Sequence, residues 1–233
     1  IFIFVGFIVA AHWSTFFQAL KVSNVSVVLT TLASASLFVA ILEPIFFKRK
    51  LILYELLFGL AVIVGLSLIF NFENQYALGI LLALSSAFLA ALFSTINGLL
   101  IRKNKARIIT FYEMVGGVIG ISIYTLLFES PTITDFSPGI NDIIYLLILG
   151  LVCTAVAFVV SVEVMKELSP FTVSISINME PIYAIVLALI FFGESEQMTP
   201  GFYLGALIIF STVLGNAALK SIQRRRLKKK ETH

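Results

Sequence analysis

Eight unbroken apolar runs of helix length follow one another along this chain, at approximately 1–20, 25–47, 52–72, 76–101, 108–128, 142–165, 171–192 and 201–219. A run of about 20 residues, rising about 1.5 Å per residue as an α-helix, crosses the roughly 30 Å hydrocarbon core of a bilayer. A barrel would show short alternating strands instead, so the pattern predicts an all-α membrane protein of about eight transmembrane helices. Composition agrees: 59% of the residues are hydrophobic and 12% charged, against about 25% charged in soluble domains. The connections are short, except from Glu129 to Asn141, where Pro131, Pro138 and Gly139 mark a true loop.

The charges test this segmentation, because alternate connections must face the same side and Lys/Arg collect in the cytosol. Lys48, Arg49 and Lys50 follow segment two; Arg102, Lys103, Lys105 and Arg107 follow segment four; Lys166 follows segment six. The tail adds Lys220, Arg224, Arg225, Arg226, Lys228, Lys229 and Lys230, which leaves only Lys21 on the other side. Glu73, Glu129, Asp135, Glu194 and Glu196 lie in the opposite connections. Both ends of the chain are therefore expected in the cytoplasm, and the basic tail over 221–233 is read as a topology anchor in preference to a lipid-headgroup site.

Several function classes drop out. One cysteine, Cys153, excludes a disulfide framework, a multi-cysteine metal site and a CxxC redox pair. A net charge of +3 is explained by orientation in the bilayer, so nucleic acid is not an expected partner. HExxH, GxSxG, P-loop and GxGxxG motifs are absent from the sequence. No enzyme activity, cofactor or metal is expected, and transport would draw on an ion gradient or run downhill.

The stretch SPFTVSISINMEPIYAIVLALIFFGE, Ser169 to Glu194, sets a carboxyl and a proline inside an apolar run. A helix starting near Phe171 would carry Glu180 about 14 Å along its axis, near the middle of the hydrocarbon. An ionisable group at that depth is a functional hypothesis by default. Thr172, Ser176, Glu180 and Tyr183 share a helix face, Asn178 is adjacent, and Pro181 can release a backbone carbonyl one turn earlier.

Shifting the chain by 146 positions pairs segments one to three with segments six to eight. Ser23 then meets Ser169, Phe46 meets Phe192 and Gly59 meets Gly205. Ser26, Thr30 and Ser34 fall opposite Thr172, Ser176 and Glu180, so two helices of opposite direction carry matching polar stripes. Inverted repeats of this kind hold a midplane site between their halves in many secondary transporters. Residues 1–73 are read as a three-helix first repeat and 74–220 as a five-helix second repeat, with two helices expected ahead of Ile1.

ELSPFTVSISINMEPIYAIVLALIFFGESEQMTPGFYLGALIIFSTVLG resembles the closing block of EamA-type proteins of the drug/metabolite transporter superfamily, and AAHWSTFFQALKVSNVSVVLTTLASASLFVAILEP resembles helices three and four of that family. Ala35 stands where the repeat would place a partner for Pro181, and Pro44 comes later. The resemblance implies a ten-helix, inverted-repeat permease of a bacterial cytoplasmic membrane, of which three plus five helices are present here. It further implies export of amino acids, other metabolites or drugs through a central cavity.

The expected cavity lining is Glu180, Asn178, Ser176, Thr172, Tyr183, Ser26, Thr30, Ser34, Glu113, His12 and Trp13, with Glu180 the candidate for proton coupling. Each has a structural alternative: a protonated Glu180 bonded between helices, Glu113 snorkelling to the interface, His12 satisfied by a neighbouring helix, Trp13 as packing. Ser94 and Asn97 share this ambiguity. Glu43, Glu55 and Glu163 read as interfacial partners of nearby Lys or Arg. Gly116 with Gly120, and Gly201 with Gly205, have GxxxG spacing that suits internal packing better than a homodimer. The expected partners are a small-molecule substrate, the lipid bilayer, and a proton or other coupling ion. A non-transporting membrane scaffold is the rival expectation, and an intramembrane enzyme would need His12 or Glu113 within reach of Glu180.

Overall fold

The computed structural model describes residues 1–48, 50, 53–129, 138–177, 180–193 and 197–231. Among them every regular element is helical. The first four are α1 (Phe2–Val22), α2 (Val25–Leu32), α3 (Ala35–Phe47) and α4 (Leu53–Phe72). A single 3-10 turn at Asn74–Tyr76 leads into α5 (Ala77–Leu100), and α6 (Ala106–Phe128) follows. Next come α7 (Ile140–Leu147), α8 (Ala157–Val164), α9 (Pro170–Ile177), α10 (Glu180–Phe192) and α11 (Pro200–Glu231). All eight apolar runs are thus helical. Phe2–Val22, Val25–Phe47, Asn74–Leu100, Ala106–Phe128 and Ile140–Val164 are each long and apolar enough to cross a bilayer, and shorter apolar helices occupy the other runs.

Two local departures from plain α-helix appear. α2 gives way to α3 at Ala33–Ser34, where Ser34 N–H bonds back three residues to Thr31 O at 3.0 Å. No glycine or proline marks this interruption; Pro44 sits near the end of α3, which closes on Lys48 in the left-handed region. Between α7 and α8, Ile148–Val156 forms a π-helical stretch, and Thr154 Oγ1 donates to Leu149 O at 2.8 Å, five residues back. Side-chain competition for a carbonyl is one established way to widen a helical turn.

Antiparallel crossing of the second and seventh apolar runs organises the interior. α2 packs on α10 and α3 packs on α9. The 146-residue shift carries α2 onto α9 and α3 onto α10, so it exchanges these two contacts, as a two-fold axis between inverted repeats requires. α1 lies against α5 and α6, and α4 against α11. Residues Val27, Ile69, Ile80, Phe202 and Ile209 bind α2, α4, α5 and α11 into one buried cluster.

Lipid tails are as apolar as leucine, so close packing rather than escape from solvent must hold such helices together. Two glycine contacts supply that closeness. A Cβ on Gly6 would sit 2.7 Å from Gly116 Cα, and one on Gly205 would sit 2.7 Å from Gly65 O. The glycines therefore serve seams within the chain, α1 to α6 and α4 to α11. Outward faces stay apolar, with Leu126 73% and Phe191 76% exposed, a surface suited to hydrocarbon.

The basic connections gather at one end. Arg102 stacks 4.5 Å from the Phe47 ring centre, and Gly98 lies against Pro170 and Phe47. At the other end Lys21 pairs with Glu129 at 3.2 Å, and Asn24 Nδ2 meets Met198 Sδ at 3.6 Å. Two buried glutamates fasten helix starts to segments remote in sequence. Glu43 Oε2 accepts from Phe171 N at 3.1 Å, and Glu73 Oε1 accepts from Thr199 N at 2.8 Å and Thr199 Oγ1 at 2.7 Å. Negative charge suits both places, because the first N–H groups of a helix lack intrahelical acceptors and carry the positive end of its dipole. Glu163 pairs with Lys166, as its sequence neighbourhood suggests. The side chain of Glu55 lies outside the described residues.

Candidate functional site

α1 carries polar groups on two faces. Trp13, Phe17, Gln18 and Lys21 recur at helical spacing on the face toward α6. With Tyr124 and Glu129 they line a pocket of about 420 Å³ at the end away from the basic loops. Gln18 Nε2 donates to Tyr124 Oη at 3.1 Å and also to Glu129. The Trp13 ring passes over Gly117, where an added Cβ would touch Cζ3 at 3.6 Å. Exposure of the Lys21–Glu129 pair limits its stabilising effect to about 1 kcal/mol or less.

His12, one residue before Trp13, turns toward α5. Its Nδ1 lies 3.0 Å from Ser86 O and 2.8 Å from Ser86 Oγ, while Ser86 Oγ donates to His12 O at 3.1 Å. Assigning the proton to Nδ1 satisfies this set, with the imidazole donating to Ser86 O and the hydroxyl to His12 O. The Phe93 ring meets the imidazole edge-on at 5.6 Å and stacks on Phe158 at 5.7 Å, which extends the contact from α1 through α5 to α8. His12 is therefore satisfied by a neighbouring helix. Its partner Ser86 was not singled out by the sequence, although a Ser-Ser pair within an apolar run is an available signal.

Glu113 on α6 is fully buried, so it does not snorkel to an interface. Asn97 Nδ2 on α5 donates to Glu113 Oε2 at 3.0 Å. Glu113 Oε1, Asn97 Oδ1 and Thr110 Oγ1 are buried without hydrogen-bond partners among the described residues. Gly6 of α1 lies directly against the Glu113 backbone carbonyl, which fixes the register of α6 beside it.

Ser26, Thr30 and Ser34 on α2 and its junction with α3 are completely buried, as is Thr31. Helix hydroxyls commonly bond to the carbonyl four residues back, yet those of Thr30, Thr31 and Ser34 have no partner among the described residues. A buried polar group left in that state costs about 1–3 kcal/mol, which a water or solute hydroxyl can offset. The stripe from the other half has different surroundings. Thr172 is half-buried beside Ser169 Oγ at 3.1 Å, and Ser176 is exposed with its hydroxyl on Thr172 O at 3.0 Å. Glu180 and Tyr183 are exposed. Asn178 lies outside the described residues. His12 and Glu113 are engaged by Ser86 and Asn97, so the structure does not assemble them with Glu180 into an enzyme-like cluster. Among the described residues no group of three or more His, Cys, Asp or Glu side chains could hold a metal ion.

Comparison with known proteins locates this arrangement. A solved structure, described only as a crystal structure of a protein, superimposes with a TM-score of 0.66 at 17% identity, covering 96% of this chain and 77% of that one. That likeness establishes the helical architecture. A comparison with curated proteins returns no match. The EamA-like transporter family model matches residues 77–217, more than half of the chain, from the start of α5 into α11. With its apolar helices and glycine-packed seams, this multi-pass membrane protein belongs to the EamA-like transporter family.

Proposed function

We propose that the protein is a secondary-active transporter that moves small metabolites, amino acids or drugs outward by alternating access. The two halves rock about the crossing of the second and seventh apolar runs. The observation that carries this reading is the set of fully buried, unpartnered hydroxyls of Thr30 and Ser34 at the interruption between α2 and α3. A purely structural stripe would bond those groups to carbonyls or to neighbouring helices, whereas a translocation path leaves them for water and solute. Interruption of the helix supports the same reading, because irregular backbone at membrane depth is tolerated where it lines a cavity or is covered by protein. The pocket between α1 and α6 provides the entrance or exit at the end away from the basic loops, and by the distribution of Lys and Arg that end faces away from the cytoplasm.

A cysteine placed at Ser34 in a Cys153→Ala background tests the path. Alternating access predicts modification of Ser34→Cys by small water-soluble thiol reagents, and protection when transported solute is present. A thiol inert from both sides under all conditions would contradict the path and favour the membrane scaffold.

A further inference from the structure

Among the described residues three buried carboxyls belong to this interior, and they differ in what meets them. Glu43 receives the Phe171 backbone N–H, and Glu73 receives both the N–H and the hydroxyl of Thr199, so each meets donors at the start of another helix. Glu113 receives one neutral carboxamide proton on Oε2, and its Oε1 is buried with no partner. The matching oddity sits on that same carboxamide, because Asn97 Oδ1 is also buried and unpartnered. Two acceptor oxygens orphaned on the two members of one hydrogen-bonded pair are both satisfied by a single added proton.

Among the described residues no cation pairs with Glu113. α5 carries no titratable side chain. α1 offers His12, bonded to Ser86 and six residues beyond Gly6, or about 9 Å along the axis, and Lys21, bonded to Glu129 at the far end. α8 offers Glu163, which is exposed and paired with Lys166. On α6 itself Arg107 and Tyr112 are exposed and Tyr124 accepts from Gln18. A buried ion without a counter-charge costs several kcal/mol, and carboxyls so placed take up a proton instead.

We propose that Glu113 is a proton-binding site. It carries the proton on Oε1, and donates it to Asn97 Oδ1 while Asn97 Nδ2 donates to Oε2, closing a two-bond carboxylic acid–carboxamide ring between α5 and α6. Loss of the proton turns one bond of the ring into a contact between two acceptors beside an unbalanced negative charge. The ring therefore opens, and α5 and α6 must admit water or separate for the carboxylate to exist. Protonation in this way decides whether the seam is shut. That this proton is exchanged during substrate movement rests on the transporter reading above and places coupling at Glu113 instead of Glu180.

The test uses the full chain in lipid vesicles and has two arms. Infrared spectroscopy at neutral pH should show a protonated carboxyl C=O band that is lost in Glu113→Gln and retained in Glu180→Gln. The amide of Glu113→Gln can close the same ring with Asn97, so this variant should fold. The wild-type spectrum followed to alkaline pH checks the site without any substitution, since the band should convert to carboxylate. A carboxylate signature for Glu113 at neutral pH overturns the proposal. In the second arm, a pH gradient should accelerate solute movement in the wild type and leave movement through Glu113→Gln unaccelerated. An unchanged gradient response in Glu113→Gln overturns the coupling role. A protonated band with no solute movement in the wild type upholds the proton site and overturns the transporter reading, so the two failures are distinguishable.

Discussion

Removing the Glu73 carboxylate should loosen the end of the molecule that lies away from the basic loops. Glu73 is 1% exposed and follows α4, while its acceptor Oε1 takes both the N–H and the hydroxyl of Thr199, the residue just before α11. Thr199 Oγ1 in turn accepts from Phe202 N at 3.3 Å, so the carboxylate holds the residue that caps the helix. Hydrogen bonds to a charged group contribute about 1.5–3 kcal/mol each, and truncation leaves the Thr199 donors in a site built for an acceptor. Glu73→Ala should therefore cost about 2–4 kcal/mol, and Glu73→Gln, which keeps an acceptor but loses the charge, roughly half as much. Thr199→Val keeps the N–H arm, removes the hydroxyl arm together with the cap on Phe202 N, and should cost about 1–2 kcal/mol. Reversible unfolding in detergent, run as a double-mutant cycle, should give a coupling of about 1–2 kcal/mol between the two positions. Additivity within about 0.5 kcal/mol would show that the carboxylate does not act through Thr199 and would refute the reasoning.

Three further outcomes follow from the packing. Gly116→Ala adds a Cβ that meets Ile3 O and lies 3.0 Å from Gly6 Cα, so it should destabilise the α1–α6 seam by about 1–3 kcal/mol, seen as a lower melting temperature. Ser86→Ala should cost about 1–2 kcal/mol in the same assay, because it strips His12 of its hydroxyl partner while leaving the Ser86 carbonyl in place. Cys153 is exposed on the π-helical stretch of an apolar span; its thiol should react with maleimides in detergent and resist a membrane-impermeant maleimide in bilayers.

The helices were legible because apolar runs of spanning length leave the backbone few alternatives. The run 76–101 becomes α5 at Ala77–Leu100 and 108–128 becomes α6 at Ala106–Phe128, differences of a residue or two at ends that fray. The 146-residue shift pairs α2 with α9 and α3 with α10, and the observed contacts run from α2 to α10 and from α3 to α9. Partners remote in sequence were not legible. Glu43 has Lys48, Arg49 and Lys50 close by, which suggested an interfacial pair, yet one of its oxygens takes a backbone N–H 128 positions away. Glu73 looked like a loop charge and is instead buried against Thr199. His12 and Ser86 stand 74 positions apart, and only the antiparallel packing of α1 on α5 brings them together. Depth was the other weak point. Counting residues from Phe171 singles out Glu180 as the ionisable group to be enclosed, whereas its side chain is exposed. Among the described residues Glu113 is fully enclosed, although residue counting places it closer to a helix end.

The most direct test of the account is solute flux through the full chain in liposomes, measured with a panel of radiolabelled amino acids and small cationic drugs alongside Thr30→Val and Ser34→Ala. The account predicts that at least one solute crosses faster than through protein-free liposomes. It also predicts that each variant slows that flux about tenfold, the equivalent of roughly 1.4 kcal/mol for one lost hydrogen bond, without lowering the melting temperature. Flux of every solute at the protein-free rate, or wild-type flux in both variants, would contradict it.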